Sequence, residues 1–96
     1  MVVISEYNSN KMGAVELVVC YIISTHYNTF YTGITNNLIR RWSEHKAGKS
    51  SYLSKFKPKE VVHIEVFSNR KEAAKKERYI KTKGARKYLL NLQYKA

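Results

Sequence analysis

Hydrophobic and polar positions along this chain change their period several times, and each change marks an element. Leu17-Val18-Val19-Cys20-Tyr21-Ile22-Ile23 is apolar at both alternating sets of positions, rich in β-branched residues and bounded by turn formers. A strand without a polar face needs cover on both sides, so this run predicts an interior strand. Thr25-His26-Tyr27-Asn28 predicts a turn, and Thr29 to Ile34 a second strand that completes a hairpin. Gly33 predicts a relaxed backbone there, in a geometry that side chains forbid. From Leu38 the period becomes helical: Leu38 and Trp42 form one i, i+4 pair, and Arg41 and His45 another. Asn36 or Asn37 can cap this helix, and Gly48, just past Ala47, supplies its stop.

Lys49 to Lys59 reads as a basic linker, punctuated by Tyr52 and Phe56 and containing the only proline. Val61 to Phe67 alternates, with Val62, Ile64 and Val66 on one face and His63 and Glu65 on the other, which predicts a third strand. Asn69 and Glu72 have the spacing of a capping box. The helix they open runs to about Lys83, where Gly84 closes it, and its apolar stripe is Ala73 and Ile80 with Glu77 between. A short last helix follows, from Ala85 to Leu92. Residues 1–15 read as an extension, with Met1 to Ile4 a candidate edge strand and a loop through Asn8 to Gly13. Residues 16–96 form one domain without internal repeat or low-complexity tract.

Charge changes the picture more than composition does. The 96 residues carry a formal +11 with an ordinary apolar fraction, so the chain folds and its surface seeks a polyanion, either nucleic acid or an acidic membrane. The one cysteine, Cys20, excludes an internal disulfide and fits a reducing compartment. Its apolar neighbours predict a buried, inert thiol. The longest apolar run is too short to span a bilayer and follows no basic leader, so a soluble cytoplasmic protein is expected, with nucleoid association compatible.

Glu77 is the most informative residue, since a carboxylate on an inward stripe is costly unless paired, hydrogen-bonded or bound to a cation. Either a neighbouring Lys or Arg holds it, or it is a ligand for a hard ion such as Mg²⁺, which accepts one or two carboxylates and fills the rest with water and phosphate oxygen. Arg41 is either a solvated helix charge or a clamp on a phosphate. His45 is either a satisfied half-buried ring or a proton shuttle, which the Arg41 charge would keep neutral. Tyr21 and Tyr31 stand across the hairpin turn, so both hydroxyls can reach one sheet surface. His26 and His63 offer no such constellation, and zinc-ligand spacings are absent.

Val19-Cys20-Tyr21, Tyr31-Thr32-Gly33, Arg41, His45 and Glu77 match in order and spacing the motifs of the GIY-YIG nuclease superfamily, which the chain resembles from Leu17 to Leu92. The run from Tyr31 to Arg41, with His45 after it, is similar to that of small stand-alone bacterial members, relatives of the UvrC N-terminal domain. Val19-Cys20 replaces Gly-Ile of the first motif and Thr32 replaces Ile of the second; the tyrosines, Gly33 and the charged set are intact. The resemblance implies an α/β (α+β) fold, a three-stranded antiparallel sheet flanked by helices in the order β-β-α-β-α-α. It also implies hydrolysis of phosphodiester bonds with one divalent metal, Mg²⁺, for which Mn²⁺ can substitute. Carried over, Glu77 holds the metal, Arg41 stabilises the scissile phosphate, Tyr21 orients or deprotonates the attacking water, Tyr31 is the second active-site tyrosine, and His45 assists proton transfer. Asn91 falls near a late asparagine found in several members. Lys46, Lys49, Lys55, Lys57, Arg70, Lys75, Arg78 and Asn91 are the expected nucleic-acid contacts, holding the backbone without reading sequence.

The expectation is an endonuclease acting on DNA, with selectivity for a particular structure or flap compatible, in repair, recombination or a mobile element, and with a protein partner as a source of specificity. A catalytically silent, basic nucleic-acid-binding module would keep the same fold and charge. A structural protein of a ribonucleoprotein would keep the charge alone.

Overall fold

The apolar run forms the middle strand of the sheet. In the computed structural model, which describes residues 16–95, strands β1 (Val18–Thr25), β2 (Phe30–Thr35) and β3 (Pro58–Phe67) pair antiparallel in the order β2-β1-β3. Every residue from Val18 to Ile23 is at most 1% exposed, because helices cover both faces. Helices α1 (Leu38–Lys46) and α2 (Ser51–Phe56) pack on Val19, Tyr21 and Ile23 through Leu38, Trp42, Tyr52 and Leu53. Helices α3 (Arg70–Lys83) and α4 (Ala85–Lys95) cover Cys20 and Ile22 through Ile80, Ala85, Tyr88 and Leu89. The alternation of side chains along β1 thus divides the core into two layers.

Local chemistry sets the boundaries. Thr25 Oγ1 accepts from the N–H groups of Tyr27 and Thr29, and Asn28 turns the hairpin with φ 62°. Asn37, not Asn36, caps α1, its Oδ1 accepting from the Arg40 N–H at 3.0 Å; Asn36 donates instead to Glu16. Asn69 caps α3 through the Glu72 N–H at 2.9 Å. Gly48 and Gly84, at φ 80° and 96°, follow α1 and α3.

Three expectations are corrected. The stretch read as a linker contains α2, so the order is β-β-α-α-β-α-α. With six residues α2 is under two turns, too short for a helical period to show, although Leu53 is fully buried and Tyr52 stacks on Phe56 at 4.7 Å. Strand β3 begins at Pro58 and carries a bulge: Ile22 pairs with His63 but Ile23 with Val61. The extra residue reverses side-chain direction, so Val61 joins Ile64 and Val66 beneath Tyr21, while Val62 is 39% exposed. Helix α4 continues past Leu92 to Lys95. The edge strand expected at Met1 to Ile4 lies outside the described residues.

Candidate active site

Antiparallel pairing places Tyr21 opposite Gly33 and Ile23 opposite Tyr31. Tyr21 and Tyr31 therefore share the sheet face that α1 covers, with ring centroids 6.3 Å apart. Gly33 lies within β2, not in a turn, and its φ is not left-handed. Space explains it instead. A Cβ at this position would stand 2.7 Å from the Tyr21 hydroxyl oxygen and 2.9 Å from its Cζ, so only glycine lets the phenol lie across β2.

Helix α1 adds two groups one turn apart. His45 is 2% exposed and its Nε2 lies 2.8 Å from the Tyr21 hydroxyl. Its ring also meets Tyr31 edge-on at 5.1 Å. The other ring nitrogen, Nδ1, is buried and has no hydrogen-bond partner among the described residues. Arg41 is half-buried; its Nε is likewise without a hydrogen bond and lies 3.6 Å from the Glu44 carboxylate.

Glu77 arrives from α3. Its half-buried carboxylate pairs with Lys81 at 3.3 Å. Lys81 in turn lines a cavity of about 350 Å³ together with Tyr31, Thr32 and Tyr52. Tyr21 responds to burial and to three of these neighbours. Burial pushes its phenol far above the usual value, Tyr31 and Glu77 push the same way, and the Arg41 charge opposes them. Burial, followed by the Arg41 charge, holds His45 below the usual imidazole value, with Glu44 opposing in part. Tyr21, Tyr31 and His45 thus meet around one buried hydroxyl, held there by β1, β2 and α1, with Arg41 one turn before His45 on α1 and Glu77 on α3.

The expected nucleic-acid contacts are not brought into one stripe. Lys46, Lys49, Lys55 and Lys57 are exposed on and beside α1 and α2, whereas Arg70, Lys75 and Arg78 are exposed on α3 and Asn91 on α4. These helix pairs cover opposite faces of the sheet. Tyr52 and Phe56 pack rather than stand free for bases: Tyr52 lies against Tyr31 at 5.8 Å, and Phe56 meets Tyr27 edge-on at 6.0 Å.

Lys81 is the neighbouring cation expected as one of the two partners of Glu77; sequence reasoning missed Glu44 beside Arg41 and a polar cluster on the far side of the sheet. His63, expected to stand alone, lies 2.7 Å from a Glu65 oxygen to which the Tyr88 hydroxyl also donates; Lys76 lies 3.5 Å from the other oxygen. The partners come from α3 and α4, too far along the chain for spacing to show. The available signal was Glu65 itself, a carboxylate on the half-covered face of a strand. Burial would push the Glu65 carboxyl up, but hydrogen bonds from Tyr88 and His63 and the charge of Lys76 outweigh it and hold the carboxyl below its usual value. Cys20, paired with Glu65 across the strands, has its thiol pushed up to about 12 by burial, then by the charges of Glu65 and Glu77. It stays protonated, and so inert as a nucleophile. No helix among the described residues is long and apolar enough to cross a membrane.

A family model described as the GIY-YIG catalytic domain matches residues 17–89, and the chain belongs to this family, part of a nuclease superfamily. Within it, the chain is similar to proteins named UPF0213. It is 40% identical over 58 residues to one from Listeria monocytogenes, covering 59% of this chain and 65% of the relative. A Staphylococcus haemolyticus protein is 40% identical over 63 residues, 65% of this chain and 77% of the relative. YazA of Bacillus subtilis is 33% identical over 76 residues, 78% of this chain and 77% of the relative. The match to the Listeria relatives spans 64–65% of their length. No solved structure gives a significant match.

Proposed function

We propose that the protein is a metal-dependent endonuclease that hydrolyses phosphodiester bonds in DNA. The observation that carries this reading is the buried Tyr21 hydroxyl held against His45 Nε2 beside Tyr31, with Arg41 one helical turn before that imidazole. The choice of DNA rests on the family alone.

The donor set suits a hard ion. Glu77 is a half-buried carboxylate in need of a cation, which Lys81 now supplies. Among the described residues no three His, Cys, Asp or Glu side chains group as metal ligands. Glu77 would therefore hold the ion alone, leaving its other positions to water and phosphate oxygens, as Mg²⁺ allows and Mn²⁺ can imitate. When bound, such an ion polarises the phosphate and acidifies a water.

The remaining work falls to the chain's own groups. Arg41, one helical turn before His45 and with an Nε free of hydrogen bonds, offers donors to a phosphate oxygen and offsets charge gathering there. With His45 neutral and Tyr21 protonated, the Tyr21 O–H donates to His45 Nε2. Passing that proton to the imidazole lets the phenolic oxygen take one from the attacking water. Burial of the pair makes each of these interactions stronger than it would be in bulk water. Tyr31 flanks both groups and forms a wall of the adjoining cavity.

Plasmid nicking with Mg²⁺ or Mn²⁺ tests the proposal. Arg41→Ala and Glu77→Ala should each lower the rate by about 10² or more, with DNA binding retained in Glu77→Ala. The Glu77–Lys81 pair favours a second reading, in which the carboxylate is structural and the protein only binds nucleic acid. A wild type that binds duplex, flap, branched and single-stranded DNA but cleaves none of them would establish that reading instead.

A further inference from the structure

We propose that the cavity behind His45 is a second phosphate site, which takes a phosphate of the bound strand other than the one being cleaved and hydrogen-bonds it to His45 Nδ1–H. This rests on the reading of the Tyr21–His45 pair given above. The cavity, of about 470 Å³, lies between the end of α1, α2 and the start of β3. His26, His45, Lys46, Gly48, Ser54 and Lys57 contribute to its wall, and no carboxylate does. Neither Lys46 nor Lys57 joins an ion pair among the described residues.

One feature calls for an occupant. His45 is almost wholly buried, yet Nδ1 has no partner while Nε2 is bonded to Tyr21. If Nε2 accepts from Tyr21, the proton of the neutral ring resides on Nδ1, which leaves an orphaned buried donor of the kind native folds avoid. Lys57 adopts φ 57°, a left-handed backbone that disfavours any side chain. Its N–H bonds the Leu53 carbonyl, and its own carbonyl accepts from the His26 N–H. Lys57 is thus the C-cap of α2, and that cap sets a cation in the cavity wall.

A phosphate answers the unpartnered Nδ1. Lysine point charges, the Ser54 hydroxyl and an imidazole N–H suit an oxyanion, and the volume admits the attached sugar. An anion on Nδ1–H also increases the basicity of Nε2, as a carboxylate behind a histidine does. Seating the strand would then strengthen the pull of His45 on the Tyr21 proton, so that the pair is primed when the substrate is in place.

The test uses the full chain labelled with ¹⁵N-histidine, without metal, so that it is independent of cleavage. Inorganic phosphate, thymidylyl-thymidine and its 5′-phosphorylated form are titrated separately while the His45 ring nitrogens and the Ser54 and Lys57 amides are followed. The expected result is saturable movement of His45 Nδ1 and both amides. Response to the 5′-phosphorylated dinucleotide but not its unphosphorylated form assigns an end phosphate; response to both assigns an internal diester. Lys57→Gly keeps the left-handed backbone and removes the cation, so it should weaken binding about tenfold without lowering the melting temperature. Ser54→Ala provides a second variant with a smaller loss. Phosphate that leaves His45 unmoved, or moves it equally in Lys57→Gly, overturns the proposal even if the protein cleaves DNA. Saturable binding here by a protein that cleaves nothing would retain the phosphate site and remove the nuclease reading.

Discussion

Gly33 is required by what it lacks. Its backbone is ordinary for a strand, but the Tyr21 hydroxyl occupies the space a methyl group would need. Gly33→Ala should therefore overpack the site at a cost of ~1–3 kcal/mol and push the phenol off His45. Thermal melts and nicking should fall together, and an alanine variant that matches wild type in both would deny the close approach. Tyr21→Phe keeps the ring and deletes the hydroxyl, leaving His45 Nε2 buried and unpaired for ~1–3 kcal/mol and a rate loss of about 10²–10⁴. His45 supplies a pH signature. Its folded pKa is lowered, so the stability it confers is complete above the ordinary value of 6.5 and is lost as pH falls through the lower folded value. Cleavage should decline on the same acid limb, and in the melting curve that limb should shrink in His45→Gln.

At the level of elements, the legible parts were those whose cause is local. The β1 run, the asparagine caps and the glycine stops are each specified within a few residues, and they stand where expected. Helix α2 was hidden because six residues cannot display a period. The β3 bulge was hidden because only pairing with β1 reveals which residue is extra. In the candidate site the motif residues could be picked out in order, and the Lys81 and Glu44 partners, four and three residues along the same helices, were within reach of spacing, whereas the clearance at Gly33 depends on tertiary packing. The Glu65 cluster is of the same kind, joining β3 to α3 and α4, and it makes a prediction of its own. A carboxyl held below its usual 4.5 stabilises the fold above that pH, and the stabilisation disappears as pH falls through the folded value. Glu65→Gln should flatten melting temperature against pH below about 4.5.

For the whole molecule, a formal +11 is spread over helices on opposite sides of one sheet. A duplex seated at the Tyr21 face meets the α1–α2 lysines first. With about five phosphates neutralised, log K should fall with log salt at a slope near −4.5. Replacing Lys46, Lys49, Lys55 and Lys57 by glutamine should flatten that slope by about 0.9 for each lysine in contact, while the same change at Arg70, Lys75 and Arg78 should affect it less. A fluorescence titration in stepped salt distinguishes the two faces.

Cys20 sits in the strand that both layers share, and it is the chain's sole thiol. No reagent reaches it unless the two halves of the core come apart. The molecule thus contains its own gauge of opening, without an introduced label: alkylation followed by mass should proceed at the pace of global unfolding and no faster.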